Sequence, residues 1–245
     1  MDERQEHRTL EALGLAHAPR DHPLTYPGVW PAESGLLAGD LMLPLDRLTH
    51  PGRTPVLAVG SNASPGQLRA KLAVLGITSP IPMVRTRVTG IGVGVSAHVS
   101  RLGYVSASPV DSPGCVRELF VIWLDGEQLA AVDATEPNYD RVVLPAPRFR
   151  VELENGETLD GVYSYVNRHG VLRNRDGLPR SHPGQHALIA ELLLVSPALR
   201  RLFGATPEDF VARARADARL CERGTRLFAE EEMVTNSGLE HLRCR

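Results

Sequence analysis

Between Arg148 and Glu154 the chain alternates without a break. Phe149, Val151 and Leu153 are apolar, whereas Arg148, Arg150, Glu152 and Glu154 are charged. A period of two puts one set on each face of a strand, so this segment belongs to a half-buried sheet. Asn155-Gly156 follows, the strongest short signal for a hairpin turn, and Glu157 to Val166 is expected to return as the partner strand. A hairpin of this kind commits the chain to antiparallel pairing. Further strands are expected at Pro55–Val59, Arg87–Ser96 and Cys115–Leu124, each rich in Val, Ile or Leu. Within the second of these, Gly90-x-Gly92-x-Gly94 lacks the spacing of a dinucleotide loop and has no helix after it, so it reads as strand.

Helices interrupt the strands. Ser64-Pro65-Gly66-Gln67 has the form of a capping box with proline in the first turn and predicts a helix from Pro65 to Leu75. Asp125-Gly126-Glu127-Gln128 is a second such cap, for a helix ending near Ala134, and Pro137 holds Glu136 extended. Ser181 or His182 is a candidate cap for a helix starting near Pro183 and running to Val195. Thr206-Pro207-Glu208-Asp209 opens another that is expected to run to Glu231. A polar helix candidate, Glu3 to Leu15, and a proline-rich stretch from Pro19 to Pro44 precede the first strand. The chain thus divides into residues 1–53, an arm packing on the core; residues 54–166, the β core; and residues 167–245, a helical extension. The fold class is α+β: a mixed, mostly antiparallel sheet flanked by helices.

Composition narrows the function. Net charge is −2, which does not favour a duplex nucleic-acid binder, and the arginines at 200, 201, 213, 215 and 219 read as a solvated helix face. Of the 27 basic residues only Lys71 is a lysine, which reads as the codon bias of a high-GC, bacterial genome. Cys115, Cys221 and Cys244 are odd in number and far apart, as expected of reduced cytoplasmic thiols, with Cys115 a buried one. The first eight residues have no apolar stretch of a signal peptide, and no apolar run is long enough to cross a membrane. His182 and His186 have ligand spacing, but Pro183 and Gly184 lie between them and no cysteine pair or second histidine motif supports a metal. Ser61 lacks the G-x-S-x-G context of a hydrolase nucleophile.

Two segments could carry chemistry. Gly60-Ser61-Asn62 joins a strand to a capped helix, where backbone N–H groups collect oxyanions; the same pattern is also that of an ordinary strand–helix turn. Glu136, between a helix end and Pro137, reads either as a desolvated carboxylate with raised pKa suited to proton transfer, or as a solvated group paired with Arg141.

Val59-Gly60-Ser61-Asn62, then Ser64-Pro65-Gly66-Gln67-Leu68, then Asp133-Ala134-Thr135-Glu136-Pro137-Asn138-Tyr139-Asp140-Arg141, and finally the Val162–Val166 strand occur in an order that resembles the γ-glutamylcyclotransferase-like family, including the γ-glutamylamine cyclotransferase and AIG2-like groups. The resemblance covers residues 56–166. It implies a small β-barrel with a cavity at its mouth. Glu136 would be the catalytic acid/base, and Gly60, Ser61, Asn62, Tyr139 and Arg141 would bind the substrate. The implied reaction cyclises a γ-glutamyl compound to 5-oxoproline and releases an amine or amino acid. It implies no cofactor, no metal, and no partner beyond a small γ-glutamyl molecule: neither nucleic acid nor membrane. Val59 stands where the family usually has an aromatic residue, and Pro137 where it often has glycine. The same fold would also suit a non-catalytic binding module with Glu136 buried against Arg141.

Overall fold

A computed structural model describes residues 8–243. Among these residues there are eleven strands and six α-helices. The strands are β1 (Gly35–Ala38), β2 (Leu41–Leu43), β3 (Thr54–Ala58), β4 (Ile81–Val95), β5 (Ala107–Leu124), β6 (Tyr139–Pro145), β7 (Arg150–Leu153), β8 (Thr158–Leu159), β9 (Gly161–Asn167), β10 (Val171–Leu172) and β11 (Val234–Thr235). The helices are α1 (Pro65–Ala73), α2 (Gly126–Ala134), α3 (Gln185–Val195), α4 (Pro197–Phe203), α5 (Pro207–Ala216) and α6 (Ala218–Glu230).

Nine strands form one sheet in the order β2-β1-β4-β5-β3-β9-β6, with β7 on the free edge of β4 and β8 on β7. Every pairing in it is antiparallel except β3 with β9. The sheet is α+β in class but does not close into the expected barrel: β2 and β6 remain edges. Two local features interrupt its pairing. At Gly90, φ is +93°, a left-handed value that glycine adopts without strain, and the β4–β5 register shifts there. The strand after β7 also breaks at Asp160, so only Thr158 and Leu159 pair with β7, while Gly161–Asn167 leaves to pair with β6 and β3. The single return strand expected over Glu157–Val166 is therefore two strands with different partners.

Three apolar clusters hold the structure. One packs Leu68 and Leu72 of α1 and Val132 of α2 against Val56, Ile122 and Leu124 of the sheet. A second gathers Val84, Val88, Val121, Phe149, Val151 and Leu153, which includes the inward set of the alternating hairpin. A third joins the far end of β4 and the loop after it, Val95, Ala97 and Val99, to Leu188, Leu192, Phe203, Phe210 and Phe228 of the C-terminal helices. This third cluster docks the C-terminal helices against that end of the sheet.

Other expectations need revision. Residues 3–7 of the N-terminal helix candidate lie outside the described residues, as does Cys244. Residues 8–14 form turns, because Leu10 is fully buried and its N–H donates to the Asp40 carbonyl. The proline-rich arm contributes a hairpin, β1–β2, that adds to β4. Neither Ser181 nor His182 caps α3; Gly184 is the cap residue, and its N–H donates to His182 Nδ1. The helix expected to run from Thr206 to Glu231 is two, because Asp217 is extended and accepts from the Arg219 N–H at the start of α6. Cys115 is half-buried, not buried. No helix among the described residues is long and apolar enough to cross a membrane.

Candidate active site

The strand–loop–helix segment forms the first wall. β3 ends at Ala58, and residues 61–63 make one 3₁₀ turn before α1. Gly60 is required there by contact: a Cβ on it would lie 2.3 Å from the Tyr26 hydroxyl oxygen. That hydroxyl accepts the Ala107 N–H at 2.8 Å, which fastens the N-terminal arm to the site. The N–H groups of Ser61 and Asn62 find no acceptor among the described residues, as the first donors of a helical turn usually do not. The expected capping box on α1 is absent. Ser64 is fully buried with its hydroxyl unpaired, packed under Gly28, and the Gln67 carbonyl oxygen accepts the Arg20 N–H. The arm has taken over the groups that would have closed the box.

The second wall follows α2, whose Asp125–Gln128 capping box forms as expected. Its last turn ends at Ala134, and the Glu136 N–H donates to the Asp133 carbonyl, which turns Glu136 back towards α1. There its Oε1 accepts from Lys71 Nζ at 2.8 Å and from Asn62 Nδ2 at 3.2 Å; Lys71 Nζ also donates to Asn62 Oδ1 at 2.8 Å. Both members of the ion pair are largely buried, Lys71 at 8% and Glu136 at 16% side-chain exposure. The other carboxylate oxygen, Oε2, has no protein partner among the described residues. The sole lysine thus lines the candidate site, a position that reading the arginine excess as codon bias did not assign. Its uniqueness in an arginine-rich chain was the one available signal: its compact ammonium donates to both Asn62 and Glu136.

These groups line a cavity of about 820 Å³ together with Tyr26, Tyr104, Tyr139, Tyr165, His98 and His169. Its size falls within the range of small-molecule sites. Gly60, Ser61, Asn62, Glu136 and Tyr139 all reach it, as does Val59. Arg141 does not: its guanidinium lies 3.4 Å from Asp133 and over the Tyr163 ring, outside the cavity lining. The pairing of Glu136 with Arg141 is likewise absent: Arg141 is held by Asp133 and the Tyr163 ring, and Glu136 by Lys71 and Asn62. Tyr139 is anchored by donating to the Ala107 carbonyl at 2.9 Å and by contact with Ser106 at 2.8 Å. Burial, and then the Glu136 charge, raises the pKa values of Tyr104 and Tyr139, so both remain neutral phenols.

α6 supplies the remaining wall through Cys221, Glu222, Thr225, Arg226 and Ala229. Sequence reasoning treated this helix as an appendage. Gly224 lets it approach: a Cβ there would lie 2.6 Å from Phe203. Burial pushes the Cys221 thiol up to about 11, so it stays protonated at neutral pH. His182 and His186 do not converge, since His182 meets the Val105 carbonyl and His186 lies beside Glu208.

No protein-family model matches the sequence, and no curated protein matches it. Solved structures similar in shape include a protein from Arabidopsis thaliana, with 21% identity over 50% of this chain and 66% of that chain, at a TM-score of 0.35. A γ-glutamyl cyclotransferase shows 17% identity over 47% of this chain and 66% of that one, also at 0.35. An uncharacterised human protein shows 14% identity over 76% of this chain and 89% of that one, at 0.35. This chain therefore spans just under two thirds of the first two. Superpositions at this level establish no family membership.

Proposed function

We propose that this protein is an acyl-transfer enzyme of the γ-glutamyl cyclotransferase type. The observation that carries the reading is the state of Glu136. One oxygen is fixed by Lys71 and Asn62, and the other is open in a cavity beside two unengaged backbone N–H groups. A held carboxylate next to oxyanion donors is the minimum this chemistry needs.

The substrate α-ammonium gives a proton to Glu136 Oε2. Its nitrogen lone pair then attacks the γ-carbonyl carbon, closing a five-membered ring, and the carbonyl oxygen takes the negative charge. Ser61 and Asn62 N–H groups stabilise that oxygen. Glu136 returns the proton to the leaving nitrogen as the bond from carbon to that nitrogen breaks, then takes the second proton from the ring nitrogen and passes it to the departed amine, giving 5-oxoproline and an ammonium product. Ring closure within one bound molecule brings a large effective molarity, about 7–11 kcal/mol when well aligned. Val59 offers no hydroxyl, but the Tyr26 hydroxyl packs against Gly60 and supplies a polar group to the same wall.

A second reading, a binding module with Glu136 structural, is favoured by the Lys71–Glu136 ion pair itself. A substrate panel separates the two. Purified protein incubated with γ-glutamyl amino acids, γ-glutamyl amines and a γ-glutamyl peptide should release 5-oxoproline, detected by mass spectrometry. Tight binding of these compounds without any release would support the module.

A further inference from the structure

His98 is nearly sealed within the protein, at 3% exposure, yet its ring lines the cavity. Its protonation is set by a short relay. The backbone N–H of His169 donates to Asn167 Oδ1 at 2.9 Å, which fixes the orientation of that amide. Asn167 Nδ2 is then the atom 2.8 Å from His98 Nδ1, and because an amide nitrogen can only donate, Nδ1 must accept. The single proton of the neutral ring therefore sits on Nε2. Burial, with a smaller effect from His169, lowers the His98 pKa to about 3, so the ring stays neutral at physiological pH. The ring plane is held edge-on to Tyr139 at 5.6 Å between centroids and lies beside His169 at 5.9 Å. Among the described residues Nε2 has no hydrogen-bond partner, and it is not among the buried polar atoms sealed off without one. The result is a fixed, uncharged N–H donor with nothing among the described residues to receive it.

The loop that carries His98 is also bonded to α6. The neighbouring Val99 N–H donates to Thr225 Oγ1 of α6 at 3.0 Å, and Thr225 also lines the cavity. The γ-glutamyl half is accounted for by Glu136 and the Gly60–Asn62 loop. We infer that His98 Nε2–H is a binding residue for the leaving-group half of the substrate, donating to a carbonyl or carboxylate oxygen carried by the departing amine. This inference rests on the acyl-transfer reading above. It assigns the C-terminal extension a part in specificity, since the loop that carries His98 is bonded to Thr225 of α6.

The test compares two substrates that differ in one group: γ-glutamyl-alanine, whose leaving amine carries a carboxylate, and γ-glutamyl-ethylamine, which lacks it. His98→Phe should lower kcat/KM for γ-glutamyl-alanine by about 10-fold or more, the worth of a hydrogen bond to a charged acceptor, and change it for γ-glutamyl-ethylamine by less than about 2-fold. His98→Gln, whose amide nitrogen reaches the position of Nε2, should recover most of the loss and controls for folding. Nitrogen-15 correlation spectra of the wild type should show a proton on Nε2 and none on Nδ1 from pH 5 to 8. Equal losses for both substrates, no loss for either, or a proton on Nδ1 would each overturn the inference while leaving the acyl-transfer reading intact. No turnover of either substrate by the wild type would overturn that reading, and this inference with it.

Discussion

Removing the Lys71 ammonium should expose how much of the site depends on one ion pair. Lys71→Met keeps most of the side-chain volume and deletes the charge. Glu136 is then left largely buried with Oε1 contacting only Asn62, whose Oδ1 in turn loses its donor. Breaking a buried pair by deleting one member costs about 3–5 kcal/mol, because the partner's desolvation is no longer compensated. Glu136 borders a cavity and retains 16% exposure, so water can solvate Oε2 and the lower end, about 3 kcal/mol, applies. For a chain of this length about 1 kcal/mol moves Tm by roughly 2–4 °C, so the shift should be about 6–12 °C downward. The double variant Lys71→Met with Glu136→Gln removes both charges and should recover most of the loss, an interaction visible in a double-mutant cycle. Urea unfolding at pH 7 measures all four proteins. A single variant within about 0.5 kcal/mol of wild type, or a double variant no more stable than Lys71→Met, would refute the reasoning.

Two other outcomes follow from the geometry. Gly224→Ala would place a methyl 2.6 Å from Phe203, so it should cost about 1–3 kcal/mol by overpacking and push α6 off the cavity; faster labelling of Cys221 by a thiol reagent reports the displacement. His98 has its folded pKa depressed from 6.5 to about 3, so the unfolded chain binds more protons between those values and stability falls as pH drops through that window. The slope attributable to one proton is about 1.4 kcal/mol per pH unit, and pH-dependent denaturation of His98→Phe should lose that share of the acid limb.

Local chemistry made much of this legible in the sequence. The Arg148–Glu154 alternation, the Asn155-Gly156 turn and the Asp125–Gln128 box each rest on contacts within a few residues, and each forms. Gly60, Asn62, Glu136 and Tyr139 gather around one cavity because two helix ends and one strand start place them there. What failed depended on distant partners. Ser64 lost its capping role because the N-terminal arm packs over it, and α1 buries instead of solvating that end. Arg141 was placed by proximity in sequence to Glu136, but its guanidinium is held by Asp133 and the Tyr163 ring instead. Lys71 belonged to no motif, and its partner is 65 residues away. The register shift at Gly90 and the strand break at Asp160 leave the apolar pattern unchanged, so neither could be read from it.

The central claim is that Glu136 carries the proton between the attacking and departing nitrogens. Its most direct test is the rate of 5-oxoproline formation by wild type and by Glu136→Gln on the best substrate of the panel, with circular dichroism confirming that both are folded. General acid–base catalysis is worth about 10²–10⁴ in rate, so the variant should fall by at least about 100-fold. A folded Glu136→Gln that forms 5-oxoproline at the wild-type rate would contradict the account.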